Sequence, residues 1–435
     1  MLKNRFISST FDPNSNRANL VWATSLQVTE KVVGYLVIAI LTRTLLQVEL
    51  GTLFFALSIA DLASVFLTFG SGTYLIRLVA SDPENSVSHF SRVLSSNISN
   101  IGIGYVLLNL FVLVFRPEIL PVMLLATAYN FLEKIYFSFS SFFIGKRKLL
   151  YRLIILGGFK LATLVGISLV AYVTRELFPV LWTQLIFNFL LVLTCYWIVH
   201  NQFGALKIRF SINNNIGVLK ESAPFFLLLL LNILHLRFDT IMVGIMLTLQ
   251  QVAVYEIGIK SMEVTRFIVR PLTNVFFPVF SEYAAKGRWR LLRRRFLMLA
   301  GSAFGVGIML TIGMQVFGPR LIVLLFSETY QESIVPTQIL FLSVPFLFTV
   351  VLSTSAANAM HLENKVALIA FVSVALNIGL NFFAIPRFGI IGAAWTTVIS
   401  QAVQATGIII LVLPRILRNS SSVRYDPPDG SPTQQ

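Results

Sequence analysis

Charged residues are scarce in this chain of 435 residues. They make up 12% of the sequence, against about 25% in an ordinary soluble domain. Cysteine is nearly absent, and the single Cys195 excludes an internal disulfide and suggests no redox role. The four histidines lack metal-ligand spacing, and the sequence contains neither a nucleophile elbow nor a phosphate-binding glycine-rich loop with lysine. These absences argue against an enzyme, and we expect no cofactor and no metal.

Apolar residues dominate instead, at 56% of the chain, and the mean hydropathy is +0.79. Apolar runs of about 20 residues recur from end to end, and each is long enough to cross about 30 Å of hydrocarbon. We therefore predict an all-α polytopic membrane protein. We expect the first apolar helix to be retained, because no short signal segment with a cleavage site precedes it. The runs predict about twelve spans, at 20–41, 50–70, 93–115, 119–143, 151–173, 177–199, 222–247, 252–280, 296–317, 335–359, 365–385 and 390–412.

The longest polar break between these spans divides them six and six. We predict four segments: an N-terminal lobe (1–199), a cytoplasmic linker (200–221), a C-terminal lobe (222–412) and a disordered cytoplasmic tail (413–435). The halves repeat the order of their elements, and residues 45–62 align with 248–264. An even number of spans in each half predicts parallel repeats, which favours two lobes around a central cavity.

The net charge of +15 is concentrated on one side of the predicted membrane. The termini and the loops after even-numbered spans carry most of the 34 lysines and arginines. The loops on the other side carry only Arg43, Arg116, Arg175, Arg320 and Arg387. Because cytoplasmic loops collect Lys and Arg, we predict a multi-pass protein of the bacterial cytoplasmic (inner) membrane with both termini cytoplasmic. The charge therefore needs no nucleic-acid partner.

Seven basic residues lie inside the predicted spans, beyond the first two residues of each: Lys31, Lys134, Lys160, Arg237, Lys260, Arg266 and Arg270. A charge at mid-membrane costs at least a few kcal/mol, so it is kept where it faces a partner or a water-filled cavity. The pattern predicts a positively biased cavity that holds anions.

The eighth span carries the sharpest pattern, a charged stripe within an arc of about 120°. It consists of Glu256, Lys260, Glu263, Arg266 and Arg270. Its signs can pair along the helix, so a self-neutralised structural stripe is the alternative. We favour a cavity wall because bases outnumber acids. The predicted anion ligands are Lys31, Arg237, Lys260, Arg266 and Arg270.

Intramembrane carboxylates are candidates for ion coupling, and we predict this role for Glu30, Asp61 and Asp239. A salt bridge from Asp61 to Lys31 or another base is an equal alternative. Asp239 and Arg237 lie on opposite sides of the seventh span and should face different neighbours. For Glu133 and Lys134 on the fourth span, we favour structural pairing with neighbouring helices.

Two stretches resemble a known family. Residues 377–394, NIGLNFFAIPRFGIIGAA, resemble the penultimate-loop signature of polysaccharide-biosynthesis flippases. Residues 238–244, with 252–255 and Lys260, resemble the seventh-to-eighth-span region of those proteins. The chain is thus similar to Wzx-type oligosaccharide-lipid translocases of the multidrug/oligosaccharidyl-lipid/polysaccharide exporter superfamily. One departure is Val254, where a glycine is expected; Gly51 keeps it in the first half.

The resemblance implies a transporter whose two lobes rock around a central cavity by alternating access. Its implied cargo is an undecaprenyl-diphosphate-linked oligosaccharide, moved to the outer leaflet for surface polysaccharide synthesis. Implied partners are membrane lipids and the polymerase and glycosyltransferases of the same pathway. The alternatives are a cation-coupled multidrug antiporter of the same superfamily, and a membrane-embedded polysaccharide-assembly enzyme or scaffold.

Overall fold

Helices joined by short turns make up nearly all of the described chain. The structure, a computed structural model, describes residues 16–422, except for the side chains of 16–21, 23, 24, 27, 267, 270–275 and 420–422. The α-helices are α1 Asn16–Thr44, α2 Gln47–Thr68, α3 Ser71–Ser81, α4 Ser86–Phe115, α5 Leu120–Gly145, α6 Leu149–Thr174, α7 Leu177–Gln202, α8 Ile212–Met246, α9 Leu249–Ala285, α10 Trp289–Phe326, α11 Ile334–Phe341, α12 Val344–Ala359 and α13 Glu363–Ser422. Short 3₁₀ turns occupy Pro117–Ile119 and Glu328–Ser333.

The all-α polytopic fold is confirmed. Seven of the described helices are long and apolar enough to cross a membrane, or eight if the bent pair formed by Glu328–Phe341 and Val344–Ala359 counts as one span. Each predicted span coincides with helix, apart from a few residues at the ends and the tenth span. The two last predicted spans, 365–385 and 390–412, share α13, which is interrupted at Gly389 (φ 60°, ψ −144°). Only glycine adopts this conformation readily.

The predicted tenth span, 335–359, is wrong as one continuous helix. It is broken after Phe341, and the two parts are bent by 42°. Pro345 explains the break, because proline lacks a backbone N–H and its ring clashes with the carbonyl four residues earlier. Helix α10 packs against this break at Gly307, where a Cβ would lie 2.6 Å from the Cα of Pro345.

A short helix, α3, lies between the second and third predicted spans, where the sequence predicts no helix. Its Leu75 and Val79 are fully buried, one helical turn apart. Gly70 precedes it with φ 79° and allows the chain to turn sharply out of α2. Packing of these two apolar residues into the core stabilises the helix. Two apolar residues are too few to predict a helix from the sequence.

The polar break and the tail differ from their predicted boundaries. Helix α8 already begins at Ile212, so only residues 203–211 of the predicted linker 200–221 are non-helical. At the other end, α13 continues through 413–422, where we expected disorder. The reason is that Ile408, Val412 and Ile416 are buried at successive four-residue intervals, so the apolar stripe extends beyond the predicted span. The rest of the predicted tail, 423–435, lies outside the described residues.

Contacts divide the chain into two compact units. The first comprises the chain up to Glu256 together with Ile322–Gln331, and the second comprises Ile257–Leu321 and the chain from Glu332 onward. Helix α8 belongs to the first unit because it packs against α2, α3 and α4. The division into lobes at 200–221 therefore stays a prediction.

Each unit has an apolar core of its own. In the first unit, Phe90, Phe139 and Phe142 pack with Cys195, which is fully buried. In the second unit, Phe280 and Phe296 pack among alanines of α12 and isoleucines of α13. The core of the first unit includes residues of α5 and α6, which carry Glu133, Lys134 and Lys160.

Candidate functional site: a buried charge network

Asp61, near the middle of α2, is the centre of a polar network inside the first unit. Its Oδ1 accepts hydrogen bonds from Lys134 Nζ at 2.8 Å and from Asn130 Nδ2 at 3.0 Å. Its Oδ2 accepts one from Arg237 Nε at 3.1 Å. The side chain of Asp61 is only 13% exposed. One carboxylate therefore joins α2 to α5 and α8.

Arg237 continues the network to the start of α9. Its Nη1 lies 4.0 Å from Glu256 Oε2, and the Glu256 side chain is 1% exposed. The hydroxyl of Thr240 donates to the other oxygen of Glu256. Removing one partner of such a buried ion pair typically costs about 3–5 kcal/mol, because the other charge is left uncompensated.

A second ion pair extends the network to α6. Lys160 Nζ lies 3.2 Å from Glu133 Oε1, and Glu133 directly precedes Lys134. The prediction that Glu133 and Lys134 pair with neighbouring helices is confirmed, since their partners are on α6 and α2. The network as a whole is neutral, with Asp61, Glu133 and Glu256 opposite Lys134, Lys160 and Arg237.

Helical spacing explains why these side chains converge. Asn130 and Lys134 are four residues apart on α5, so they lie on one face and both reach Asp61. Arg237 and Thr240 are three residues apart on α8 and both reach Glu256. Glu133 points to a different neighbour because it is rotated by about 100° from Lys134.

Asp239 contacts α9 at the residue next to Glu256. It is buried, and its Oδ2 accepts a hydrogen bond from the hydroxyl of Tyr255 at 3.3 Å. Arg237, two residues earlier, contacts Asp61 instead. Arg237 also contacts Glu256, which follows Tyr255 on α9, so the prediction that Arg237 and Asp239 face different neighbours is wrong for this helix.

The other predicted site residues lie on α1 and α9. On α1, Glu30 is half-buried and Lys31 is exposed. On α9, Lys260 Nζ lies 3.8 Å from Glu263 Oε2, with side chains 14% and 20% exposed, and Arg266 is half-buried. The Arg270 side chain lies outside the described ones. The assignment of these residues to anion binding or ion coupling stays a prediction.

Sequence reasoning missed part of the network. Thr240 was not singled out, and the partners of Asp61 were left open between Lys31 and another base; the structure shows Lys134 and Arg237. A usable signal was present in the four-residue spacing of Asn130 and Lys134, which places an amide and an ammonium group on one helix face. Two donors on one face indicate an acceptor on the helix opposite.

A family model described as "Polysaccharide biosynthesis protein" matches residues 17–284. The chain belongs to the polysaccharide biosynthesis protein family. Residues 17–284 include every residue of the buried charge network and every predicted site residue. The predicted family resemblance is confirmed.

This chain is similar to a curated protein, the "Probable flippase AglR" of Haloferax volcanii. The two are 25% identical over 185 residues, which is 41% of this chain. The match spans 38% of the length of AglR.

Solved structures show which fold this family member has. A multidrug-resistance MATE family transporter of the MOP superfamily, in an inward-facing conformation, matches with a TM-score of 0.71 and 13% identity over 91% of this chain and 96% of that one. The lipid II flippase MurJ, in an inward closed conformation, matches with a TM-score of 0.70 and 12% identity over 92% and 90%. A MOP superfamily transporter from Pyrococcus furiosus matches with a TM-score of 0.56 and 12% identity over 92% and 94%. The chain therefore shares its fold with these transporters.

Proposed function

We propose that the protein is a flippase that moves a polyprenyl-diphosphate-linked oligosaccharide across the cytoplasmic membrane for surface polysaccharide synthesis. The observation that carries this proposal is the family match over residues 17–284. The fold alone does not choose between cargoes, because a multidrug transporter and a lipid II flippase match almost equally well. Family membership and the similarity to a probable flippase favour the lipid-linked cargo over a drug.

The charge balance of the spans supports an anionic cargo. The buried network uses three bases and three acids and leaves no net charge. The intramembrane charges that remain are Lys31, Lys260, Arg266 and Arg270 against Glu30, Asp239 and Glu263. Bases therefore still outnumber acids on α1, α8 and α9 taken together. A diphosphate needs such groups, because moving it away from water is otherwise very costly.

We assign diphosphate binding to Lys31, Lys260 and Arg266, with Arg270 as a further candidate. Lys and Arg form short charge-assisted hydrogen bonds with phosphate oxygens, and Arg can form two at once. Arg237 is also a candidate, and its guanidinium group contacts Asp61 and Glu256. A contact between Arg237 and phosphate requires those ion pairs to open.

The ion-coupling role proposed for Asp61 has a similar requirement. Two cationic groups lie at 2.8 and 3.1 Å from this carboxylate. A transported cation that bound Asp61 would have to replace Lys134 or Arg237, which would release a base from its partner. This exchange gives ion binding a direct means of rearranging α2, α5 and α8. Glu30 and Asp239 remain proposed coupling groups as well.

A complementation assay tests the proposal in cells that lack their own flippase and so lack surface polysaccharide. We expect the wild-type chain to restore the polysaccharide and Arg266→Ala to fail. Loss of one charge-assisted hydrogen bond to the phosphate costs about 1.5–3 kcal/mol, and this lowers the transport rate roughly 10- to 100-fold. Arg293→Ala is the matched control, because Arg293 is an exposed arginine in the first turns of α10. Full export by Arg266→Ala at normal expression would contradict the assigned role.

A further inference from the structure

A polar cavity of about 550 Å³ lies in the first unit, where the connection between α7 and α8 passes the first turns of α4. Its lining includes Ser88, Ser91, Arg92 and Ser95 of α4, and Lys207 and Arg209 of the connection. None of these residues belongs to the buried charge network. The cavity is therefore a second polar site, which the proposed transport chemistry does not use.

The connection is held against α4 by its backbone. Gly204, with φ 133°, redirects the chain after α7. The N–H of Lys207 then donates to Ser91 Oγ at 3.2 Å, and the N–H of Arg209 donates to Ser95 Oγ at 3.0 Å. Four helical residues rise about 6 Å, and two extended residues rise about 6.6 Å, so the two spacings match. This match fixes the register that places both basic side chains at the cavity.

Apolar side chains alternate with the basic ones along the connection. Ile208, Phe210 and Ile212 are 39%, 67% and 72% exposed. In a membrane protein, exposed apolar side chains beside Lys and Arg are typical of the boundary between acyl chains and headgroups. The alternation therefore presents one side of the connection to lipid tails and gives the cavity its positive charge.

The cavity has a surplus of positive charge. Arg92 is partly compensated, because its Nη2 lies 3.0 Å from Glu221 Oε1, and its Nε donates to Asn214. The hydroxyl of Tyr74 also donates a hydrogen bond to the other carboxylate oxygen of Glu221. For Lys207 and Arg209, no carboxylate lies within ion-pair distance among residues 16–422.

We propose that this cavity binds the phosphate group of an anionic lipid in the adjacent leaflet, which is the cytoplasmic leaflet in the orientation proposed above. Lys207 and Arg209 supply the charge, and the hydroxyl groups of Ser88 and Ser91 supply neutral donors, a combination suited to phosphate oxygens. The exposed Ile208, Phe210 and Ile212 place the lipid's acyl chains next to its headgroup. A bound lipid would secure the connection between α7 and α8 to α4.

Native mass spectrometry of the purified full-length protein with phosphatidylglycerol tests this site. We expect the double variant Lys207→Gln/Arg209→Gln to bind phosphatidylglycerol about tenfold or more weakly than the wild type. Both backbone hydrogen bonds to α4 remain in this variant, so its unfolding temperature should match that of the wild type. The matched control is Arg293→Gln/Arg294→Gln, which removes two exposed charges from another basic turn and should change binding less than twofold.

Three results would overturn the proposal. Equal losses in the two double variants would mean that lipids are attracted diffusely by any basic surface. Unchanged phosphatidylglycerol binding in Lys207→Gln/Arg209→Gln would remove the site. Displacement of the lipid by an equimolar amount of inorganic phosphate would identify a site for soluble phosphate.

Binding of polyprenyl diphosphate that is lost in the Lys207→Gln/Arg209→Gln variant would support a lipid-borne phosphate and identify the cargo's lipid as an occupant. A failure of Arg266→Ala to affect export would leave this test unchanged.

Discussion

At the scale of single residues, the account rests on how Asp61 is compensated. Its carboxylate is 13% exposed and lies between Lys134 and Arg237. Loss of that carboxylate leaves two cationic groups next to each other in a poorly solvated place. Neighbouring like charges repel strongly where water cannot screen them.

We expect Asp61→Asn to lower the stability of the folded protein by about 3–5 kcal/mol, because asparagine keeps the shape but not the charge. The double variant Asp61→Asn/Lys134→Met should recover part of this loss, since it removes one of the two uncompensated cations. Thermal unfolding of the detergent-solubilised protein measures both.

The control for this series is Glu118→Gln. Glu118 pairs with Arg116 in a loop, and its side chain is 55% exposed. Exposed ion pairs contribute only about 0–1 kcal/mol, so this variant should unfold close to the wild-type temperature. An Asp61→Asn variant as stable as Glu118→Gln would contradict the structural role of the network.

For the charged residues of the network, the sequence predicted oppositely charged partners on other helices. It did not identify all of the partner residues. Adjacent opposite charges indicated that Glu133 and Lys134 pair with different helices, which is confirmed. The partners of Asp61 could not be named, because Lys134 and Arg237 follow it by 73 and 176 residues. Helical periodicity gives the face on which a residue lies, but only tertiary packing decides which helix covers that face.

At the scale of secondary-structure elements, Gly51 controls the approach of α2 to α9. A Cβ at this position would lie 1.7 Å from the carbonyl oxygen of Leu249. The two helix starts are also joined by a hydrogen bond from Gln250 Nε2 to Gln47 Oε1 at 2.7 Å. Val254, where the family pattern has a glycine, is fully buried.

We expect Gly51→Ala to destabilise the protein by about 1–3 kcal/mol, because the added methyl group forces the two helices apart. Gly102→Ala on α4 is the matched control, because no atom lies within 4 Å of a Cβ built there. The control should be neutral or stabilising by about 0.5–1 kcal/mol, since alanine favours helix more than glycine does. Thermal unfolding compares the two variants, and equal unfolding temperatures would rule out the close approach.

Hydropathy was sufficient to place most elements, because a membrane-spanning helix is a long signal. The errors fall where a short or local feature decides the structure. Pro345 breaks the predicted tenth span, and the two apolar residues of α3 are too few to mark a helix in the sequence. Helix α13 continues past 412 because Ile416 is buried, and burial depends on neighbouring helices.

At the scale of the whole molecule, composition alone indicated a polytopic membrane protein, and the family and the fold agree with it. The sequence could not predict how the helices group. The polar break predicts a lobe boundary at 200–221, which stays a prediction, and contacts group α8 with the first unit, up to Glu256. A polar connection marks a place where the chain leaves the membrane, and this does not determine which helices pack together.

The central claim is that basic side chains of α1 and α9 recognise the diphosphate of a lipid-linked glycan. The most direct measurement is flipping by the purified protein in liposomes, with one fluorescent glycan carried either on polyprenyl diphosphate or on an uncharged polyprenol. We expect the diphosphate-linked glycan to cross at least about tenfold faster than the uncharged one, and Arg266→Ala to remove most of this difference. Equal rates for both lipids in the wild-type protein would contradict the account.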